Sequence, residues 1–142
     1  MSMAEGKAYV LDSYAVLAYL EGEAGSDHVG ELLEAARNGR CRLFMSVINL
    51  GEVLYIVERE RGLPRTHEVL ARIDELPIEI VNADRTLTLA AAHLKAECPI
   101  AYADCFAAAL SQVKEAALVT GDREFRQIKP GITLEIDWLP ET

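Results

Sequence analysis

The sequence predicts an α/β fold, a three-layer α/β/α sandwich built on a mostly parallel sheet. Helical patterns alternate with short β-rich runs along the whole chain, the arrangement that demands crossover helices on both faces of a sheet. The run AALVT at Ala116 to Thr120 has the length and composition of a central strand. The stretch IAYADCFAAAL, Ile100 to Leu110, carries Ala, Phe and Leu on every side of a 3.6-residue period and leaves no face for water. A chain of 142 residues that is 51% hydrophobic suits one domain over residues 1–142, with a core that needs no disulfide or structural metal.

The elements follow in order. Ala8 to Leu11 reads as a short buried strand, and Asp12-Ser13 opens a helix through about Leu20 that ends at Glu21-Gly22. Ser26-Asp27 is expected to cap a second helix reaching Asn38-Gly39, followed by a strand at Arg42 to Met45. Ser46 caps a third helix, Val47 to about Arg61, whose first half should be buried and whose charged second half should protrude. Gly62-Leu63-Pro64 breaks it. A fourth helix, Thr66 to Glu75, leads through Pro77 to the β run Ile78 to Val81. Asn82-Ala83-Asp84 turns into a fifth helix ending near Glu97, and the apolar sixth helix runs from Tyr102 to about Lys114. After Gly121-Asp122 come a helical turn near Arg123 to Gln127, a break at Pro130-Gly131 and a fifth β run at Ile132 to Ile136. Repeats, linkers and low-complexity segments are absent from the sequence.

Composition narrows the function. The formal charge of −9 argues against nucleic-acid binding through a broad basic surface. Phosphate contacts confined to a rim stay possible, because Arg59, Arg61 and Arg65 form one local cluster and Arg123, Arg126 and Lys129 another; both also fit solvated helix ends. Cys41, Cys98 and Cys105 form no CxxC pair and lie in apolar segments, as expected of reduced thiols in a cytoplasmic protein. Nothing in the sequence indicates secretion or a membrane span.

Four acids carry the chemistry. Asp12 and Asp122 follow strands directly, which delivers them to the carboxyl edge of a parallel sheet, where such folds place their sites. Glu52 and Asp104 lie in or near the first turns of apolar helices that start at the same edge. Asp12 equally suits a helix cap, and Asp122 a turn residue after Gly121. Glu52 and Asp104 are harder to explain as solvated residues, since acids in apolar helices are rarely buried without a partner. Gathered in a pocket of low dielectric, the four would repel one another, and a divalent cation resolves that conflict. Oxygen ligands without accompanying His or Cys point to Mg²⁺ or Mn²⁺ rather than Zn²⁺.

Supporting roles fall to neighbouring polar residues. Ser13 and Thr120 fit hydroxyl partners of the acids, although capping also accounts for Ser13. Asn49 is placed one turn before Glu52 to orient that carboxylate, or else serves as a surface or capping residue. His28, His67 and His93 stand apart from the acids and read as surface or packing residues.

The segments VLDSYAVLAYL, SVINLGEVLYI, IAYADCFAAALS and LVTGDREF, in that order and spacing, resemble the PIN-domain ribonucleases, and within them the VapC-type toxins of prokaryotic toxin–antitoxin pairs. The resemblance spans essentially the whole chain. It implies a five-stranded parallel sheet and Mg²⁺- or Mn²⁺-dependent endonucleolytic cleavage of RNA. It further implies a homodimer, and a VapB-type antitoxin that pushes a basic side chain into the acidic pocket. Asp12, Glu52, Asp104 and Asp122 would be the acidic quartet, with Thr120 as its hydroxyl-bearing neighbour. A phosphatase of the haloacid-dehalogenase type would need a second acid two residues after Asp12, where this chain has Tyr14. The non-enzymatic alternative is a binding module whose carboxylates capture a basic protein partner.

Overall fold

The computed structural model describes residues 6–141. Five strands, β1 (Lys7–Leu11), β2 (Cys41–Ser46), β3 (Glu79–Val81), β4 (Ala117–Thr120) and β5 (Ile136–Trp138), form one sheet. Its order is β3-β2-β1-β4-β5 and every pair is parallel. The crossovers are made by α1 (Ser13–Glu21), α2 (Ser26–Arg37), α3 (Val47–Arg61), α4 (Leu63–Asp74), α5 (Arg85–Glu97) and α6 (Tyr102–Val113).

Strand alternation divides the interior into two cores. Tyr9, Leu11, Leu43, Met45, Ala117 and Val119 face one side of the sheet, where Val16, Leu33, Val53, Val57, Val69 and Ile73 cover them. Val10, Phe44 and Leu118 face the other, packed by Leu87, Ala91, Leu94 and the run Cys105 to Leu110. A period of two in the central strands, with both side-chain sets apolar, is what burial between two helical layers requires. In α6 every residue from Asp104 to Ser111 is buried, as expected for a helix without a polar face.

Some local expectations change. Ser26 is the first residue of α2 rather than its cap; Gly25 precedes it at φ 93°, and no side chain caps the helix. Only one stripe of α3, Asn49, Val53 and Val57, is buried, while Tyr55 is 53% exposed, so burial follows a helical face rather than its first half. Pro64 does not extend a break. Gly62, at φ 89°, alone turns the chain, and α4 starts at Leu63 with proline in its first turn, where a missing N–H leaves no bond unmade.

The last strand lies later than the pattern at Ile132 to Ile136 predicts. Ile132 and Leu134 are partly buried against the second core without joining the sheet, and the chain pairs with β4 only from Ile136, opposite Leu118, to Trp138, opposite Thr120. The later register places Trp138 at the carboxyl edge beside Thr120.

Candidate active site

The acids reach this edge through local bonding that also builds the helix starts. Asp12 follows β1 and is 2% exposed. Its Oδ1 accepts the Ala15 N–H at 2.8 Å, capping α1, and its Oδ2 accepts the Thr120 hydroxyl at 2.5 Å. Capping and a place in the acidic site are thus compatible, because the two carboxylate oxygens divide the tasks. Thr120 Oγ1 also accepts the Asp122 N–H at 3.0 Å, which ties the ends of β1 and β4 together. Asp122 in turn caps the following 3₁₀ turn, Arg123–Gln127, by accepting the Glu124 N–H at 2.9 Å. Gly121 lies under the Tyr14 ring, and a Cβ there would meet ring carbon at 2.3 Å, so any side chain at this position would have to displace that ring.

The partner of Glu52 is Ser13, whose hydroxyl donates to Glu52 Oε1 at 2.5 Å. Asn49 therefore does not take the role expected of it. Its Nδ2 donates to the Ala103 carbonyl at 3.1 Å and so ties α3 to the start of α6, the turn that carries Asp104. Asn49 is fully buried, and its Oδ1 has no protein partner. Asn49 is buried where α3 meets the start of α6, while Glu52, one turn later, is only half-buried.

Asp104 is 6% exposed and meets two other acids. Carboxylate oxygens of Asp104, Asp122 and Glu124 all lie within 4.8 Å of one another. Glu124 escapes the sequence reading because an acid in the charged turn DREF looks solvated. Its sequence signal is the spacing of two from Asp122, which the 3₁₀ turn converts into proximity. Asp12 and Glu52 border this trio.

The electrostatics have one direction. Burial, opposed by the bonds from Thr120 and Ala15 and reinforced by Asp104 and Asp122, pushes the Asp12 carboxyl up to about 7. Burial first, then the charges of Asp122, Glu52 and Glu124, pushes Asp104 to about 7 as well. Local cations do not relieve the strain: Arg123 and Arg126 pair with Glu141 at 3.0 and 4.0 Å, and Lys129 pairs with Glu97 at 2.8 Å. A cluster that runs from the buried Asp104 through the half-buried Asp122 to the exposed Glu124, with no cation paired to it among the described residues, fits a hard divalent ion, and the all-oxygen donor set suits Mg²⁺ or Mn²⁺. Asp104, Asp122 and Glu124 could hold it.

The remaining candidates lie elsewhere. His28 Nε2 contacts Asp137 Oδ2 at 2.7 Å, bridging α2 and β5, and His67 and His93 are exposed. Cys41, Cys98 and Cys105 are free and buried. Among the described residues no helix is long and apolar enough to cross a membrane.

Residues 9–130 match the family model of the PIN domain. Among curated proteins, none matches the sequence. Solved structures do. VapBC2 from Rickettsia felis, bound to a DNA fragment from its promoter, is similar at a TM-score of 0.73 and 21% identity, over 94% of this chain and 99% of that one. DNA-bound VapBC from Salmonella typhimurium gives 0.70 and 22%, over 91% and 97%. VapC20 from Mycobacterium tuberculosis, described as a toxin that cleaves the sarcin–ricin loop, gives 0.62 and 18%, over 83% and 92%. At these identities the likeness is one of fold.

Proposed function

This chain belongs to the PIN-domain family, and on that premise we propose that it is a metal-dependent endoribonuclease, the toxin of a VapBC-type pair. The observation that carries the proposal is the meeting of Asp104, Asp122 and Glu124 at the carboxyl edge, with Asp12 and Glu52 beside them. Five carboxylates from four segments of chain are an unfavourable arrangement for a folded protein by itself, and a favourable one for a site completed by a cation. The fold shared with toxins crystallised with their antitoxins, and with one described as cutting the sarcin–ricin loop, supports a VapB-type partner and an RNA substrate.

In the proposed mechanism Asp104, Asp122 and Glu124 would hold Mg²⁺ or Mn²⁺, which would supply Lewis acidity to lower the pKa of water and to offset negative charge on the phosphate. Asp12 fixes the floor of the pocket, because Thr120 bonds both its carboxylate and the Asp122 backbone. Glu52, steered by Ser13, is the group that orients the attacking water and takes its proton. Asn49 holds the start of α6, and with it Asp104, against α3. Residues 1–142 act as one PIN-like domain, the working unit is a homodimer, and the place of action is the cytoplasm.

The test is cleavage of total cellular RNA by antitoxin-free protein in Mn²⁺, in Mg²⁺ and in chelator, with cut sites read by end sequencing and Glu52→Gln run beside the unaltered chain. Discrete cuts that need both metal and Glu52 are expected. A protein that binds a basic partner yet neither binds metal nor cuts RNA would be the capture module instead.

A further inference from the structure

Next to the acidic pocket lies a patch of opposite character. Arg123 stands in the 3₁₀ turn between Asp122 and Glu124, and its guanidinium lies 5.0 Å from the centre of the Trp138 ring. The Arg126 guanidinium lies 5.8 Å from the same ring. Trp138 is opposite Thr120 in the β4–β5 register, so its backbone is one strand spacing, about 5 Å, from that of the residue that bonds Asp12. Trp138 is still 37% exposed.

An anion already marks the patch. The Glu141 carboxylate lies between the two arginines, 3.0 Å from Arg123 Nε and 4.0 Å from Arg126. Glu141 is 70% exposed, and an exposed ion pair of that kind is worth little and yields readily to a better anion. Lys129, near in sequence, is instead engaged by Glu97, which leaves the two arginines and the indole as the unit.

We infer that Arg123, Arg126 and Trp138 form the landing for single-stranded RNA beside the acidic pocket. The inference rests on the nuclease reading and adds where the strand lies. The guanidinia take backbone phosphates in place of Glu141, and the open part of the indole stacks an unpaired base. In a chain of net charge −9 this patch supplies the local attraction that the acids, themselves repelling phosphate, do not. The cation–π contacts hold the arginines over the ring and so preset the fork for the strand.

Trp138 is the single tryptophan of the chain, so its fluorescence reads the patch directly. The experiment titrates a labelled, unstructured RNA oligomer into the full chain in chelator, which prevents cutting, and follows label anisotropy and tryptophan emission across a range of salt. Saturable quenching is expected. Arg123→Ala with Arg126→Ala raises Kd about tenfold or more and flattens the salt slope by roughly 1.4, the value for removing two phosphate-binding cations from a single-stranded complex. Glu141→Gln tightens binding. Circular dichroism confirms that each variant is folded, and Arg123→Lys with Arg126→Lys retains most of the salt slope.

RNA binding without quenching, or with Kd unchanged in the double alanine variant, overturns the landing. So does equal quenching by polyglutamate, which would assign the patch to an acidic protein. The nuclease reading fails separately. Metal-dependent cutting at an unchanged KM in the double alanine variant removes the landing and keeps the nuclease. Arginine-dependent quenching by a protein that never cuts keeps the landing and removes the nuclease.

Discussion

The two walls of the acidic pocket are built on opposite terms. On one wall Asp12 is satisfied by the chain itself, with one oxygen on the Ala15 N–H and the other on the Thr120 hydroxyl. On the other wall Asp104 faces Asp122 and Glu124, acid against acid. Both aspartates are pushed up to about 7, and burial is the largest cause for each. Their neighbours act in opposite senses: at Asp12 the protein donors pull back toward ionisation, while at Asp104 the surrounding carboxylates push further from it. The Asp12 wall is thereby a structural joint between β1, α1 and β4, and in the proposed reading a cation would complete the Asp104 wall.

The largest effect that would break this contrast is on activity. Asp104→Asn is expected to reduce RNA cleavage by at least about 10²–10³-fold, the scale of losing a group that stabilises charge in the transition state. At pH 8 in chelator the same variant should melt higher than the unaltered chain, because a repelled buried charge has been removed. Cleavage rates and thermal melting check both halves, and a variant that stays active would place the metal elsewhere.

A smaller effect lies in pH. The folded-state values of Asp12 and Asp104 are raised above the ordinary 3.8, so the native state holds protons that the unfolded chain has released. Their contribution to stability is full below about pH 4 and is lost as pH rises through about 7. Chelated protein should therefore melt lower at pH 8 than at pH 5.5, by at least about 4 °C, the shift that roughly 1 kcal/mol produces in a domain of this size. Asp104→Asn should remove its share of that slope, and saturating Mn²⁺ should flatten the rest. A slope unchanged in the variant would separate Asp104 from the effect.

The smallest effect concerns the satisfied wall. At pH 6, where Asp12 is largely protonated, Asp12→Ala removes the acceptor of two donors and the cap of α1, and should lower the unfolding free energy by about 1–2 kcal/mol in a urea titration. An unchanged midpoint would show that Thr120 and Ala15 find other partners and that the joint is not structural.

The same contrast explains what could be read from the sequence. The positions of Asp12 and Asp122 after strands and of Asp104 in the first turn of an apolar helix were legible, because each stands where an apolar element begins or ends. Glu124 was not, since its proximity to Asp104 comes from a tertiary contact between the 3₁₀ turn and α6, and no periodicity marks it. Asn49 was legible as a polar residue in an apolar helix but not in its target, because the carbonyl it bonds belongs to Ala103, 54 positions away in the sequence. The last strand slipped by a few residues because Ile132, Leu134 and Ile136 alternate like a strand while the first two only cover the second core. The layers of the fold were legible since a strand followed by two helices recurs three times before β4, and no single misplaced boundary alters that pattern.

The most direct test is calorimetric titration of Mn²⁺ into the full chain near pH 6.5, repeated in buffers of different ionisation enthalpy and with Asp104→Asn. An acidic pocket completed by a cation predicts saturable binding that releases protons, because carboxyls near pKa 7 must ionise to serve as ligands, and predicts that both affinity and proton release fall in the variant. Absence of binding, or binding with the same affinity and proton count in Asp104→Asn, would contradict it.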